Sequence, residues 1–126
     1  MDIKNYKKYI SLIESEMVPA LGCTDPIGIA FCASSAAGPL NGEILSVDAF
    51  FSKNLIKNVA AVKIPKTGGM CGARIATALG VIGGNPELKL EALKNLNNDD
   101  IQSAVKLEKS DRLQVNIADN DITLYM

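Results

Sequence analysis

The stretch that most restricts the fold is the run from Ile27 to Ala37, which is almost wholly apolar or small. The "CTDP" before it is typical of a helix start. Thr24 or Asp25 can cap the first turn, Pro26 suits it, and the Asp25 carboxylate complements the positive end of the helix dipole. A helix that is apolar on every side is a buried one. The sequence therefore predicts a helix in the interior of the protein.

Hydrophobic spacing predicts several other helices. Tyr6, Ile10, Ile13 and Met17 recur with the period of an amphipathic helix, which predicts a helix over residues 3–18. The remaining predicted helices are a short one over residues 54–60, one of small residues from Gly72 to Gly80, and two that begin at Asn85 and Asn98.

Alternating runs predict the strands. The stretch Ile44–Phe51 is rich in residues that favour strands, and one of its faces is apolar: Leu45, Val47, Ala49 and Phe51. The runs "RLQVNIA" and "DITLYM" flank Asp119–Asn120, where a tight hairpin turn would lie. We therefore expect a single α+β domain over residues 1–126, a small mixed domain with several helices packed on a short, mostly antiparallel sheet.

Composition argues against several classes of function. The 126 residues carry a net charge of −1 and scattered Lys and Arg residues, so we expect no nucleic-acid partner. The apolar stretches fall short of the roughly 20 residues of a membrane-spanning helix, and the N-terminus does not resemble a signal peptide. The three cysteines lack CxxC spacing, which argues against a disulfide framework or a self-contained zinc site. We expect a cytoplasmic protein with no membrane partner.

The last run ends on "LYM" with no polar tail. This pattern predicts one domain of a longer polypeptide, or a subunit that is completed by a partner. The apolar helix and the unfinished hairpin also favour a homo-oligomer over a lone monomer.

Cys23 lies between a glycine and the predicted start of the apolar helix. A thiol at the N-terminal edge of a helix faces unsatisfied backbone N–H groups and the positive dipole end, which favour the thiolate. A thiolate can act as a nucleophile, a base or a soft-metal ligand. Free cysteines are also among the most buried residue types and often only pack. The local pattern leaves both interpretations of Cys23 open.

The stretch "SKNLIKN" places Ser52, Asn54, Lys57 and Asn58 directly after the predicted strand. On a helix the two asparagines share a face, and the lysine lies close by. These groups could hold the carboxylate and amine of an amino acid. Equally, they could form an ordinary helix start exposed to solvent.

A glycine-rich loop follows in "KTGGMCGA", and it includes Thr67, Gly68 and Gly69. Backbone N–H groups in such a loop can cradle a carboxylate or a phosphate. The glycines could also serve only to permit a turn and close packing.

Four strings, in this order and at these separations, resemble the N-terminal part of the L-cysteine desulfidase family, which is related to the α part of iron–sulfur L-serine dehydratases. They are "VPALGCTDPIGIA", "SKNLIKNV", "IPKTGG" and "ALGVIGG". The resemblance covers essentially the whole chain and only about the N-terminal third of such a family member. It implies the N-terminal domain or subunit of a β-eliminating lyase that is inactive alone. Its small amino-acid substrate would be L-cysteine, which yields pyruvate, ammonia and sulfide, or L-serine, which yields pyruvate and ammonia.

The resemblance also implies a cofactor and site residues. Cys23 matches a cysteine that ligates or adjoins a 4Fe-4S cluster whose open iron polarises the leaving group. The other ligands belong to the family's C-terminal part, so the complete enzyme would hold the cluster and this chain alone would bind none. Thr24 and Pro26 would set the Cys23 turn. The substrate-binding residues that the resemblance implies are Thr24, Ser52, Asn54, Asn58, Thr67, Gly68 and Gly69. Lys57 joins Cys23 as a candidate catalytic residue.

Two departures from the family pattern are Lys53, where glycine is usual, and Cys71, where the pattern has no cysteine. Because the chain contains no histidine, the base would be Lys57, Cys23 or a residue outside this chain. The alternative interpretation is a non-catalytic binding or assembly module that retains the fold without the chemistry. A third is an anion-binding module that uses only the glycine loop. For the lyase, the expected partner is the C-terminal remainder of the enzyme or a partner subunit.

Overall fold

The computed structural model describes residues 3–126. Five α-helices, one 3₁₀ helix and two strands make up the described part of the chain, which confirms the predicted α+β class. Their order is α1 (Ile3–Glu16), α2 (Thr24–Ala37), β1 (Val47–Phe51), α3 (Lys53–Val59), α4 (Ala73–Gly83), the 3₁₀ helix (Pro86–Glu91), α5 (Asn98–Glu108) and β2 (Leu113–Ile117).

The sheet is parallel, so the prediction of a mostly antiparallel sheet is wrong. Within residues 3–126 it has two strands, β1 and β2, in register from the pair Val47 and Leu113 to the pair Phe51 and Ile117. Parallel strands need a long crossover connection, and α3, α4 and α5 provide it here. The carboxyl ends of the two strands consequently lie at the same edge of the sheet.

The predicted C-terminal hairpin does not form, because residues 121–126 adopt no strand. They contact the end of β1 instead: the backbone N–H of Ser52 donates to the Tyr125 carbonyl at 3.1 Å. The first predicted strand is also shorter than expected. The carbonyls of Ile44 and Leu45 accept hydrogen bonds from the Arg112 guanidinium rather than from a strand.

The core lies where α2 crosses α4. Ile27 and Ile29 of α2 and Leu79 of α4 are completely buried. A Cβ atom added to Gly80 would lie 2.3 Å from the Ala30 carbonyl oxygen, so the two backbones approach more closely than any other residue would permit. The small residues of α4 thus have the packing role that the sequence predicts.

The prediction that α2 is buried on every side holds for only part of its surface. Pro26, Ile27, Ile29, Ala30 and Ser34 are buried, but the face that carries Cys32, Ala33 and Ala36 is half-buried or exposed. The predicted first helix ends at Glu16 rather than residue 18, and its apolar stripe is exposed. Two apolar surfaces of the described chain therefore lack a covering element.

The helix starts differ slightly from those predicted. Cys23, rather than Thr24 or Asp25, occupies the N-cap position of α2, and its side chain makes no capping hydrogen bond. At α5 the cap is Asn97: its side chain accepts from the Asp100 N–H at 2.9 Å, and the Asp100 carboxylate accepts from the Asn97 N–H at 3.1 Å. Over residues 3–126, every helix is too short or too polar to cross a membrane.

Candidate functional site

The Cys23 turn packs directly against the glycine-rich loop. Gly22 has a φ of +80°, which favours glycine, and a Cβ atom there would lie 2.8 Å from Cγ of Pro65. Gly22 therefore allows the two loops to touch. Cys23 follows with an extended backbone, and its side chain is exposed. Thr24, also exposed, is the first residue of α2.

Helix α3 joins the same region through a side-chain hydrogen bond. The amide nitrogen Nδ2 of Asn58 donates to Oδ2 of Asp25 at 3.3 Å. Asp25 lies in the first turn of α2, two residues after Cys23. The contact thus brings the "SKNLIKN" stretch to the Cys23 turn. Lys57, the neighbour of Asn58, is exposed in the last turn of α3.

Ser52 is buried and has a structural function at the start of α3. Its side chain is 3% exposed and accepts a hydrogen bond from the Leu55 N–H, as an N-cap does. Its hydroxyl also donates to the Thr123 carbonyl at 2.9 Å and accepts from the Tyr125 N–H at 3.4 Å. These three partners leave the Ser52 hydroxyl little capacity to bind a substrate.

Asn54 lies at a polar cleft of about 360 Å³, beside the carboxyl ends of β1 and β2. Residues 52–54 form one wall of this cleft, and residues 117–123 form the other. Ligands of parallel sheets commonly bind beyond the carboxyl ends of the strands. The structure therefore separates the two predicted amides: Asn54 faces this cleft, and Asn58 contacts Asp25.

The glycine-rich loop is held in shape by its own threonine. The Thr67 hydroxyl is buried, donates to the Ile64 carbonyl at 2.7 Å and accepts from the Met70 N–H at 3.1 Å. Gly68 and Gly69 are exposed, with φ of +72° and +99°. A Cβ atom on Gly68 would meet no atom within 4 Å, so the backbone conformation, rather than crowding, requires glycine there. Open space above Gly68 leaves room for a ligand.

The cysteines do not form a metal centre by themselves. Cys23 and Cys71 are exposed, whereas Cys32 is half-buried and burial raises the pKa of its thiol. Among residues 3–126, no group of three or more His, Cys, Asp or Glu side chains is placed to hold a metal ion. A 4Fe-4S cluster is held by several cysteine thiolates, so the residues of this chain do not fit one.

Sequence reasoning missed two residues that shape this end of the molecule. Asp25 was assigned to the helix dipole, but its carboxylate also fixes Asn58. Arg74 of α4 donates to the carbonyls of Glu108, Ser110 and Leu113, which joins α4 to the end of α5 and the start of β2. Neither contact has a local sequence signal, since the partners are more than 30 residues apart.

Comparison with known proteins finds relatives that are much longer than this chain. A UPF0597 protein of Photobacterium profundum is 40% identical over 117 residues, which are 93% of this chain and 27% of the relative. The UPF0597 protein YhaM of Shigella dysenteriae is 43% identical over 112 residues, which are 89% of this chain and 26% of the relative. A UPF0597 protein of Geobacter sulfurreducens is 42% identical over 118 residues, with 94% and 28% covered. The chain thus spans about a quarter of the length of the curated relatives it matches.

These relatives overturn the predicted family. The motifs were expected to place the chain among L-cysteine desulfidases and their iron–sulfur L-serine dehydratase relatives, but the matching proteins bear the name UPF0597 protein. No family model matches the chain. No solved structure matches it either.

Proposed function

We propose that this chain forms one part of a longer β-eliminating lyase that acts on a small amino acid, L-cysteine or L-serine, and that it is inactive alone. One observation carries the proposal: two segments that are far from Cys23 in the sequence contact residues close to it, and the Cys23 side chain is exposed. Gly22 packs on Pro65, and Asp25 binds Asn58. These contacts support a shared site, because they bring two other segments next to residues close to the exposed Cys23.

β-Elimination needs three things: a site for the substrate carboxylate, a base for the α-proton, and an acid or Lewis acid for the departing sulfur or oxygen. The exposed backbone of Gly68 and Gly69 can bind a carboxylate. The Lys57 ammonium adds the positive charge that such a group prefers. The base is the Lys57 amine, the Cys23 thiolate or a residue of the longer protein.

We keep the 4Fe-4S cluster as a proposal for the complete enzyme only. In that enzyme Cys23 would supply one thiolate, and the others would come from the rest of the polypeptide. The three free cysteines of this chain suit a reducing compartment, which supports our proposal of a cytoplasmic protein.

The proposal is tested with this chain and a complementing fragment, which we define as the part of the Geobacter sulfurreducens relative outside the matched region. The two are co-expressed and purified together under anaerobic conditions. We expect pyruvate to form from L-cysteine or L-serine, with sulfide in the first case, and neither polypeptide alone to be active. A well-folded complex that releases no pyruvate from either amino acid would contradict the proposal.

A matched pair of lysine variants tests the role of α3. Lys57 adjoins Asn58, whereas Lys106 is exposed in the last turn of α5 and borders neither the Cys23 turn nor the cleft at Asn54. We expect Lys57→Met to lower kcat/KM of the complex by about 100-fold, as loss of a catalytic or substrate-binding charge does. Lys106→Met, the control, should leave kcat/KM within about threefold of the parent value. Equal effects of both substitutions would assign no special role to Lys57.

The second candidate function is a non-catalytic binding or assembly module. The hydroxyls of Ser52 and Thr67 favour it, because both are engaged in hydrogen bonds that hold the protein's own backbone. Isothermal titration of the complex with L-cysteine and L-serine separates the two candidates. Binding of an amino acid without any turnover supports the module over the lyase.

A further inference from the structure

Within residues 3–126, the edge of β1 that faces away from β2 has no adjacent strand, and an apolar groove lies beside it. The groove, of about 400 Å³, is bordered by every residue of β1 and by the half-buried face of α2 that includes Cys32, Ala33 and Ala36. Phe50 of β1 remains 51% exposed. Parallel sheets are ordinarily covered on both faces and rarely consist of two strands, so this surface is incomplete as it stands.

The hydrogen bonds identify which backbone groups of β1 are free. The Val47 N–H donates to the Arg112 carbonyl and the Phe51 carbonyl accepts from Ala118, so the odd-numbered residues of β1 point toward β2. Because backbone groups alternate in direction along a strand, those of Asp48 and Phe50 point toward the open edge. Within residues 3–126, no backbone hydrogen bond reaches either of them.

The next residue on the open edge already has a partner there. The Ser52 N–H donates to the Tyr125 carbonyl at 3.1 Å, so residue 125 lies where an adjacent strand would run. Tyr125 and Met126 also border the groove. Any residues that follow Met126 in a longer form of the protein would start in this groove, in line with the free groups of Phe50 and Asp48.

We propose that the free edge of β1 is the docking site for a third strand, an extended apolar segment from the rest of a longer polypeptide. The relatives supply the reason for this occupant, because about three quarters of their length lies outside the matched region. Strand addition would satisfy the backbone groups of Asp48 and Phe50, and the strand's apolar side chains would fill the groove. This inference does not depend on the proposed lyase activity.

Four variants and one exchange measurement test the docking site, with the complementing fragment as the probe. Ala36→Glu places a negative charge in the groove. Its control is Ser35→Glu, which places the same charge on an exposed neighbouring residue that does not border the groove. Asp48→Pro removes an N–H from the open edge, whereas Ala49→Pro removes one that faces β2. We expect Ser35→Glu to bind the fragment like the parent chain. Ala36→Glu and Asp48→Pro should bind at least about tenfold more weakly while the isolated chain stays folded, and Ala49→Pro should unfold it.

Hydrogen exchange followed by NMR then reports on the strand itself. In the isolated chain the amides of Asp48 and Phe50 should exchange quickly, and in the complex they should slow by at least about tenfold. Unchanged exchange in the complex, parent-like binding by Ala36→Glu and Asp48→Pro, or no complex at all would overturn the proposal. Slow exchange of these amides in a dimer of the isolated chain would assign the edge to a second copy instead. A complex that forms but has no activity would contradict the proposed lyase and would not contradict the docking site.

Discussion

Gly80 determines how closely α2 and α4 approach each other. Alanine is the better helix former by up to about 1 kcal/mol, but its Cβ atom would lie 2.3 Å from the Ala30 carbonyl oxygen, a backbone atom that cannot move aside by itself. We expect Gly80→Ala to reduce the free energy of unfolding by about 3 kcal/mol, as overpacking a core does. Urea denaturation followed by circular dichroism measures this change.

Gly28 of the same helix pair provides the control. A Cβ atom on Gly28 would meet only the end of the flexible Met126 side chain, at 3.4 Å. We expect Gly28→Ala to leave the free energy of unfolding unchanged or to raise it by up to about 1 kcal/mol. A similar loss of stability in both variants would mean that helix packing at Gly80 is not specially close.

The three cysteines differ in how exposed their side chains are. Burial raises the pKa of the Cys32 thiol, so at a given pH near neutrality a smaller fraction of Cys32 is thiolate. Cys23 and Cys71 are exposed. We expect iodoacetamide at pH 8 to alkylate Cys23 and Cys71 well before Cys32, as followed by peptide mass spectrometry. The reaction of Cys32 should speed up as the pH rises further, and early labelling of Cys32 would contradict its placement in the fold.

Arg74 joins α4 to the end of α5 and to the start of β2. Its guanidinium donates to the Leu113 carbonyl at 2.8 Å, to that of Glu108 at 3.1 Å and to that of Ser110 at 3.3 Å. These carbonyls end α5 and begin β2, and a positive charge at a helix C-terminus is favourable. We expect Arg74→Met, which keeps the apolar stem, to reduce the free energy of unfolding by about 2 kcal/mol.

Lys106→Met is the matched control for Arg74, because Lys106 is an exposed cation in the last turn of α5. Its loss should change the free energy of unfolding by no more than about 0.5 kcal/mol in either direction. If Arg74→Met is equally mild in the same thermal or urea denaturation, the guanidinium bridge does not hold β2 in place.

Elements that depend on local pattern were predictable, and their partners were not. The small residues from Gly72 to Gly80 predicted a closely packed helix, and α4 is one. The alternation in "RLQVNIA" correctly predicted β2, but alternation is the same whether a strand pairs in parallel or antiparallel fashion. The hairpin signal at Asp119–Asn120 was misleading, since the last residues contact Ser52 instead.

The long-range contacts of the candidate site could not be predicted from local sequence patterns either. The Cys23 position at a helix start was visible in the sequence, because "CTDP" carries a local signal. The contacts that give the site its form join Gly22 to Pro65 and Asp25 to Asn58, across 33 residues in the second case. Only the packing of α2 against the rest of the fold determines such pairs.

The described part of the chain exposes many large apolar side chains, more than is usual for a complete soluble domain. The stripe on α1 that includes Tyr6, Ile10 and Ile13 is exposed, as are Phe50 of β1 and Ile117 of β2. The relatives are about four times as long as the region they share with this chain. These exposed surfaces agree with the proposal that the chain forms one part of a longer polypeptide.

The central claim is that Cys23 is the functional thiol of this site, and one measurement tests it most directly. The rate of sulfide release from L-cysteine is compared for Cys23→Ala and Cys71→Ala in the complex with the complementing fragment, since both cysteines are exposed and Cys23 lies between Gly22 and Asp25, which contact Pro65 and Asn58. The account predicts that Cys23→Ala lowers the rate by at least about 100-fold and that Cys71→Ala retains most of it. Full activity in Cys23→Ala would contradict the claim.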